Sequence, residues 1–197
     1  LRRLEGLVSD FLSYARPRPL ELEEVAAPAL LEHVRDLLAA EVAAQGCCLL
    51  LEDRSSAARV RVDRAQFAQL LLNLVRNALQ AVADAGRPGL VRCTCHRQGP
   101  RVVLEVTDNG VGIPAGELGR IFELFYSTRK GGTGLGLAIV DRIARAHDAD
   151  LAVQSTPGVG TTVSLSLPVA GMSRESRASA SRTLGAELSA RTGSGRT

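Results

Sequence analysis

Six residues constrain this chain more than any others. Gly131-Gly-Thr-Gly-Leu-Gly136 holds four glycines and runs straight into the apolar segment Leu137-Ala-Ile-Val140. Glycine loses more freedom on folding than any other residue, so this density is costly unless the backbone must approach something closely. Glycines ahead of a helix leave backbone amides free to face an anion, and the helix N-terminus adds a favourable dipole. Two familiar phosphate sites do not fit. No Gly-Lys-Ser/Thr follows, as a phosphate loop requires, and no G-x-G-x-x-G stands inside a strand–helix–strand unit. Just ahead, Ser127-Thr-Arg-Lys130 offers hydroxyls and two cations to phosphates, with Thr128, Arg129 and Lys130 as candidates. A flexible loop with incidental charges is the plainer alternative.

The surrounding pattern sets the fold class. Leu4, Leu7, Val8, Phe11, Leu12 and Ala15 recur at helical spacing, and Arg16-Pro-Arg-Pro19 ends that first helix. A second helix runs from about Pro28, with Leu30, Leu31, Val34, Leu37, Leu38 and Val42 on one face and Gly46 as its stop. Short strands are expected over Cys48–Glu52 and Val60–Val62, and a long helix from about Arg64 to Ala85. Leu90–His96 and Arg101–Thr107 read as a hairpin around Gln98-Gly-Pro100, with Val102, Leu104 and Val106 on one face. A helix from about Leu135 to His147 and strands over Leu151–Ser155 and Thr161–Leu167 complete the series. Strands grouped with a few long helices, without strict alternation, predict an α+β fold: a two-layer α/β sandwich, its mixed sheet covered by helices on one face. Past Ala170 the chain is rich in Ser, Ala, Arg and Gly, so the expected domain spans 20–168, with 169–197 as a disordered tail.

Bulk properties exclude several functions. Residues 171–197 hold five Arg and two Glu, which account for the whole formal net charge of +3. The body is neutral, so no nucleic-acid partner is expected. No apolar run reaches the roughly 18 residues of a membrane span, and the charged start is unlike a signal peptide. The domain is expected to be cytoplasmic, within a protein that membrane anchoring elsewhere would still permit. Cys47, Cys48, Cys93 and Cys95 lack zinc-site spacing and read as strand-core thiols, a Cys/His96 metal site being the lesser alternative.

Two more stretches carry chemistry. On the long helix, Asn73, Asn77, Gln80 and Asp84 share a face opposite the stripe of Phe67, Leu70, Leu71, Leu74, Ala78, Leu79 and Val82. Any surface helix has a polar face, but Asn is a mediocre helix former. Amide oxygens one turn apart suit magnesium, which takes few protein ligands and keeps its waters. Asp108-Asn-Gly-Val-Gly-Ile-Pro114 follows a strand directly. A carboxylate there can accept a hydrogen bond from an exocyclic amine, although Asn-Gly alone is only a turn signal.

The order of the pieces resembles the ATPase domain of sensor histidine kinases. Asn73-x-x-x-Asn77, Asp108-x-Gly-x-Gly112, Phe122-x-x-Phe125, Gly132-Thr-Gly-Leu-Gly136 and Gly160-Thr161 match its five boxes in the family's order. The wording Asn73-Leu-Val-Arg-Asn-Ala-Leu-Gln-Ala81 most resembles the nitrogen-regulation branch. The resemblance implies ATP and Mg2+ as cofactors, held between the helical layer and a lid. It implies that Asp108 binds the adenine amine, that Gly110 and Gly112 allow close packing there, and that Asn77 is the metal ligand. Asn73 and Arg129 would act at the phosphate end. Gly132, Thr133, Gly134, Leu135 and Gly136 would form the lid hinge and amide cradle, Thr161 would support Asp108 through a hydrogen bond or water, and Phe122 and Phe125 would pack the lid base. Residues 1–19 would be the end of a dimerisation helix plus linker. The implied partners are that upstream dimerisation and phosphoacceptor domain, within a homodimer, and the receiver domain of a response regulator.

The chain departs from the family pattern in places. Many members carry Lys where Gln80 stands, and the lid Lys appears as Arg129, which meets phosphate as a fork rather than a point charge. His33, His96 and His147 lie in none of the contexts of a phosphoacceptor, so the acceptor is expected upstream. His147, near a helix C-terminus, suits the dipole there. Relatives that hydrolyse ATP need a base to activate water, and Asn73 stands where they carry Glu. An ATP-sensing binding module and an anti-sigma-type serine kinase are the alternatives of the same fold.

Overall fold

The computed structural model describes residues 19–129 and 132–171. The first helix expected over residues 4–15, the linker before Pro19, Lys130, Gly131 and the tail from Met172 onward lie outside the described residues. Among the described residues three helices and seven strands follow one another as β1 (Glu23–Ala26), α1 (Ala27–Gln45), β2 (Cys48–Arg54), β3 (Arg59–Val62), α2 (Arg64–Asp84), β4 (Leu90–Gln98), β5 (Arg101–Asp108), α3 (Gly136–Ala146), β6 (Asp150–Thr156) and β7 (Gly160–Pro168). The expected α+β sandwich is therefore present: a five-stranded mixed sheet in the order β2-β4-β5-β7-β6, packed against helices. Only β2 and β4 pair in parallel; the other neighbours in this sheet are antiparallel.

Alternation along β5 separates the two faces of the sheet. Val102, Leu104 and Val106 are buried among the helices. On the other face Glu105 accepts from Thr94 Oγ1 at 3.3 Å and Ser164 Oγ at 2.9 Å, and the hydroxyls of Thr107 and Thr162 pair at 3.1 Å. Arg101, buried at one end of that face, meets Asp150 at 2.7 Å. A polar, hydrogen-bonded outer face is what an antiparallel sheet covered on one side requires.

The helices form where their patterns predict. In α2 every residue of the expected stripe is buried, and the Asp63 side chain caps the helix by accepting from Gln66 N. Pro28 opens α1, and Gly46 closes it in the left-handed conformation, φ 61°. Leu37 departs from expectation: it is 55% exposed, at the margin of a stripe centred on Leu31, Val34 and Leu38. Strand β1 was not legible, since Glu23-Glu24 disfavours a strand; its pairing with β3 forms it. The domain also runs slightly past its expected end at 168, because Val169 N donates to Pro100 O and Ala170 N to Arg59 O.

His147 caps the C-terminus of α3, where it was expected. It is buried, and its Nε2 accepts from Asp63 N at 3.0 Å. That places the ring proton on Nδ1, which donates to Ile143 O at 2.8 Å, with Phe67 edge-on at 5.6 Å between ring centroids. The ring thus ties the end of α3 to the cap of α2 as a neutral hydrogen-bonded bridge.

The cysteines divide. Cys93 and Cys95 point into the core, where burial pushes their thiols up to about 12 and about 11. Cys47 is half-buried and Cys48, on the edge strand, is exposed, so the strand-core reading holds for only two of the four. His96 lies on the sheet face opposite Cys93 and Cys95, so the three cannot share one metal. Thiolate is the reactive form. Mild alkylation of the folded chain at pH 8 should therefore modify Cys48 first and leave Cys93 and Cys95 unmodified until denaturant is added, as peptide mass mapping would show.

Candidate functional site

A cleft of about 540 Å³ opens between α2, the strand ends of the sheet and the segment leading into α3. Asn73, Asn77, Gln80 and Asp84 line it from α2, so the stripe faces the cleft, Asn73 and Asn77 half-buried and Gln80 and Asp84 exposed at its mouth. Asn73 Nδ2 is buried without a hydrogen-bond partner among the described residues. An unpaired buried amide is costly, and a ligand in the cleft would supply its partner. Of the other expected site residues, Asp108, Gly112, Thr128, Arg129, Gly132, Thr133, Gly134, Gly136 and Thr161 all line the same cleft.

Asp108 ends β5 and is 8% exposed. Burial raises its pKa, opposed by hydrogen bonds from the amides of Gly110 and Thr161 and by the charge of Arg129. Thr161 therefore holds the carboxylate through its backbone N–H, while its hydroxyl pairs with Ser155 Oγ at 2.9 Å. Ser155, missed in the sequence, also accepts from Ile113 N at 2.7 Å.

The loop after Asp108 is bonded almost residue by residue. Asn109 N donates to Leu90 O at 3.2 Å, Gly110 N to Asp108 Oδ1 at 2.8 Å and Val111 N to Ala81 O at 3.1 Å, while Val111 O accepts from Gly158 N at 2.8 Å. Ala81 O lies in the last turn of α2, where carbonyls lack helical partners, so the loop caps the helix. The two glycines serve protein packing. A Cβ on Gly110 would fall 2.6 Å from Ala81 O, and one on Gly112, where φ is +70°, would collide with the Thr156 carbonyl. Gly110 thus stands behind the cleft wall, against α2, and not on the ligand side.

The far wall differs in detail from expectation. Arg129 turns back onto α2, its guanidinium 3.4 Å from Asp84 Oδ2 and 3.4 Å from Asn77 O. Phe125 is 64% exposed with φ +63°, so it does not pack the lid base as Phe122, half-buried, partly does. Its left-handed backbone turns the ring outward, while its N–H closes the loop onto Gly134 O at 3.0 Å. Leu135 contributes a fully buried side chain, not a cleft wall. Helix α3 begins at Gly136 with no side-chain cap, which leaves first-turn amides available at the cleft. Apolar Val106, Ile113, Ile121, Leu137 and Val153 complete a slot the motifs did not reveal. None of His33, His96 and His147 lines it.

Known proteins resemble this chain in sequence and in fold. Residues 62–171 match the family described as histidine kinase-, DNA gyrase B-, and HSP90-like ATPase. The chain is 35% identical over 167 residues to sensor histidine kinase ZraS of Escherichia coli (strain K12), covering 85% of this chain and 35% of that protein. It therefore spans about a third of the length of this relative. The catalytic domain of histidine kinase ThkA superposes with a TM-score of 0.68 at 27% identity, over 76% of this chain and 96% of the other. ThkA in complex with response regulator protein TrrA gives 0.72 at 27% identity, over 85% and 48%. Full-length ShkA in complex with AMPPNP gives 0.76 at 30% identity, over 86% and 36%.

The raised pKa of Asp108 makes a stability prediction. A carboxyl whose folded pKa lies above its unfolded value binds its proton more tightly when folded, so the ionised form burdens the fold above that pKa and the burden lifts as pH falls through it. Asp108→Asn, free of that charge, should match or exceed the wild type in stability at pH 7 without ligand. The difference should shrink on acidification, as denaturant titrations across pH would read.

Proposed function

This chain belongs to the histidine kinase-, DNA gyrase B-, and HSP90-like ATPase family, and from that premise we propose that it is the ATP-binding catalytic domain of a sensor histidine kinase. The observation that carries the reading is the convergence of Asp108, the Asn73/Asn77 face and the uncapped start of α3 on one cleft. Asp108 accepts the adenine amine, and the ring enters the apolar slot beside Val106 and Val153. The phosphates extend toward Asn73, Asn77 and the first turn of α3, where unpaired amides meet anionic oxygens. Arg129, with Thr128, Thr133 and Lys130, adds charge and hydroxyl donors from the lid, Arg129 exchanging its hold on Asp84 for phosphate.

The donors present fit magnesium. No group of three His, Cys, Asp or Glu that could hold a metal occurs among the described residues, so a carboxylate cage is absent from them. Neutral amide oxygen from Asn77 suits an ion that keeps water and phosphate as most of its ligands. Bound there, magnesium supplies charge neutralisation across the phosphates. Asn77 orients the phosphate end, and Asn73, lacking a basic function, does not activate water. This favours transfer to a protein acceptor over hydrolysis.

The acceptor is a histidine of an upstream dimerisation helix in a homodimer, and the phosphoryl group passes on to the receiver domain of a response regulator. Support for that partner is the solved pairing of ThkA with TrrA. The N-box wording from Asn73 to Ala81 supports a place in the nitrogen-regulation branch. No described helix is long and apolar enough to cross a membrane, which accords with a cytoplasmic domain.

Titration calorimetry should show Mg·ATP binding that Asn77→Ala weakens markedly, with little change in affinity for ATP in EDTA. Joined to an upstream dimerisation helix, the wild type should yield acid-labile, base-stable phosphate from γ-labelled ATP. Binding without any such label would favour an ATP-sensing module instead.

A further inference from the structure

The loop that carries Asp108 is held from outside the cleft by a side chain that belongs to none of the motifs. Arg87 stands in the turn between α2 and β4. Its Nε donates to Asn109 O at 2.9 Å, and its Nη2 reaches Asn109 O, Gly110 O at 3.1 Å and Val159 O at 3.1 Å. Three carbonyls from two separate segments thus converge on one guanidinium. Asn109 reinforces the same junction, its Oδ1 accepting from Leu90 N at 2.8 Å and its Nδ2 donating to Pro88 O at 3.0 Å.

The clamp lies next to the residues that aim the carboxylate. Asn109 and Gly110 follow Asp108 directly, and Gly110 N is one of the donors to it. Val159 precedes Gly160, which packs so closely on the Asp108 carbonyl that a Cβ there would collide with it. Thr161, next in line, gives Asp108 its second amide bond. Both donors to the carboxylate are therefore mounted on backbone that Arg87 joins. Converging carbonyl dipoles repel one another, and a planar fork satisfies several at once where a lysine ammonium would act as a point charge.

We propose that Arg87 is a positioning residue for nucleobase recognition: it locks the Asp108 loop to the β6–β7 turn, so that the carboxylate meets a purine with an amine at C6 and rejects one with a carbonyl at that position. Arg87 does not line the cleft and acts through Asp108. The inference rests on the reading that Asp108 takes the adenine amine.

The test compares Mg·ATP and Mg·GTP affinities of the wild type, Arg87→Met, Arg87→Lys and Asp108→Asn by calorimetry, each below its melting temperature. Arg87→Met keeps the stem and loses the donors. It should bind ATP about tenfold more weakly, the low end for charge-assisted hydrogen bonds at an exposed site, with GTP affinity changing less, so that the ATP/GTP preference contracts. Arg87→Lys should fall between. A merely structural role would lower melting temperature and leave the preference intact; that result in both Arg87 variants overturns the proposal. Should Arg87→Met fail to fold, the preference of Arg87→Lys decides. Asp108→Asn separates the two levels: if it keeps the wild-type preference, the adenine reading itself fails, whereas its loss alongside an unchanged preference in the Arg87 variants removes only the clamp.

Discussion

The seating of the loop Asn109–Ile113 on the last turn of α2 is the contact on which the site depends. Helix α2 ends with carbonyls that have no helical partner, and the loop supplies one through Val111 N to Ala81 O. That bond requires backbone against backbone, which is why glycine stands at 110. Once seated, the loop fixes Asp108 on one side of the cleft at a set distance along α2 from Asn77 and Asn73. The two ends of the cleft are thus gauged against a single helix, itself anchored by ten buried side chains and by the His147 bridge at its start.

The site is unsatisfied without a ligand, and its costs sit where binding would relieve them. Asp108 is a buried carboxylate held by two amides; among the described residues the buried amide nitrogen of Asn73 has no partner and α3 starts without a side-chain cap. Each would be a defect in a purely structural domain. Together around one cleft they are what preorganised recognition of a polar, anionic molecule requires, because the donors and acceptors are already oriented when it arrives. The Arg129–Asp84 ion pair is different in kind: both side chains are partly exposed, so exchanging it for a phosphate contact costs little.

Much of this was legible in the residues. The stripe of α2, the Gly46 stop and the faces of β5 followed from period and turn chemistry, and the cleft gathers the amide face, Asp108, Thr161 and most of the glycine-rich segment as expected. What escaped has physical reasons. Strand β1 exists only through its pairing with β3, and nothing local in Glu23-Glu24 favours it. Phe125 reads as a core aromatic by type, yet its left-handed backbone turns the ring out. Cys48 stands in an apolar run, but strand alternation packs Leu49 and Leu51 against the core and turns Cys48 outward with Leu50. Ser155 and Arg87 bind backbone groups brought near by the sheet register, and neither carries a spacing that would mark it.

Amide hydrogen exchange of the ligand-free chain tests the central claim, that the Asp108 loop is prebuilt, most directly. Four amides bear on it: Asn109, Gly110, Val111 and Ile113, each with a bonded acceptor. They should exchange as slowly without nucleotide as the neighbouring ends of β5 and α2, and ATP should slow them little further. Fast exchange of all four in the free chain, with protection appearing only on addition of ATP, would show that the ligand builds the wall and would contradict the account.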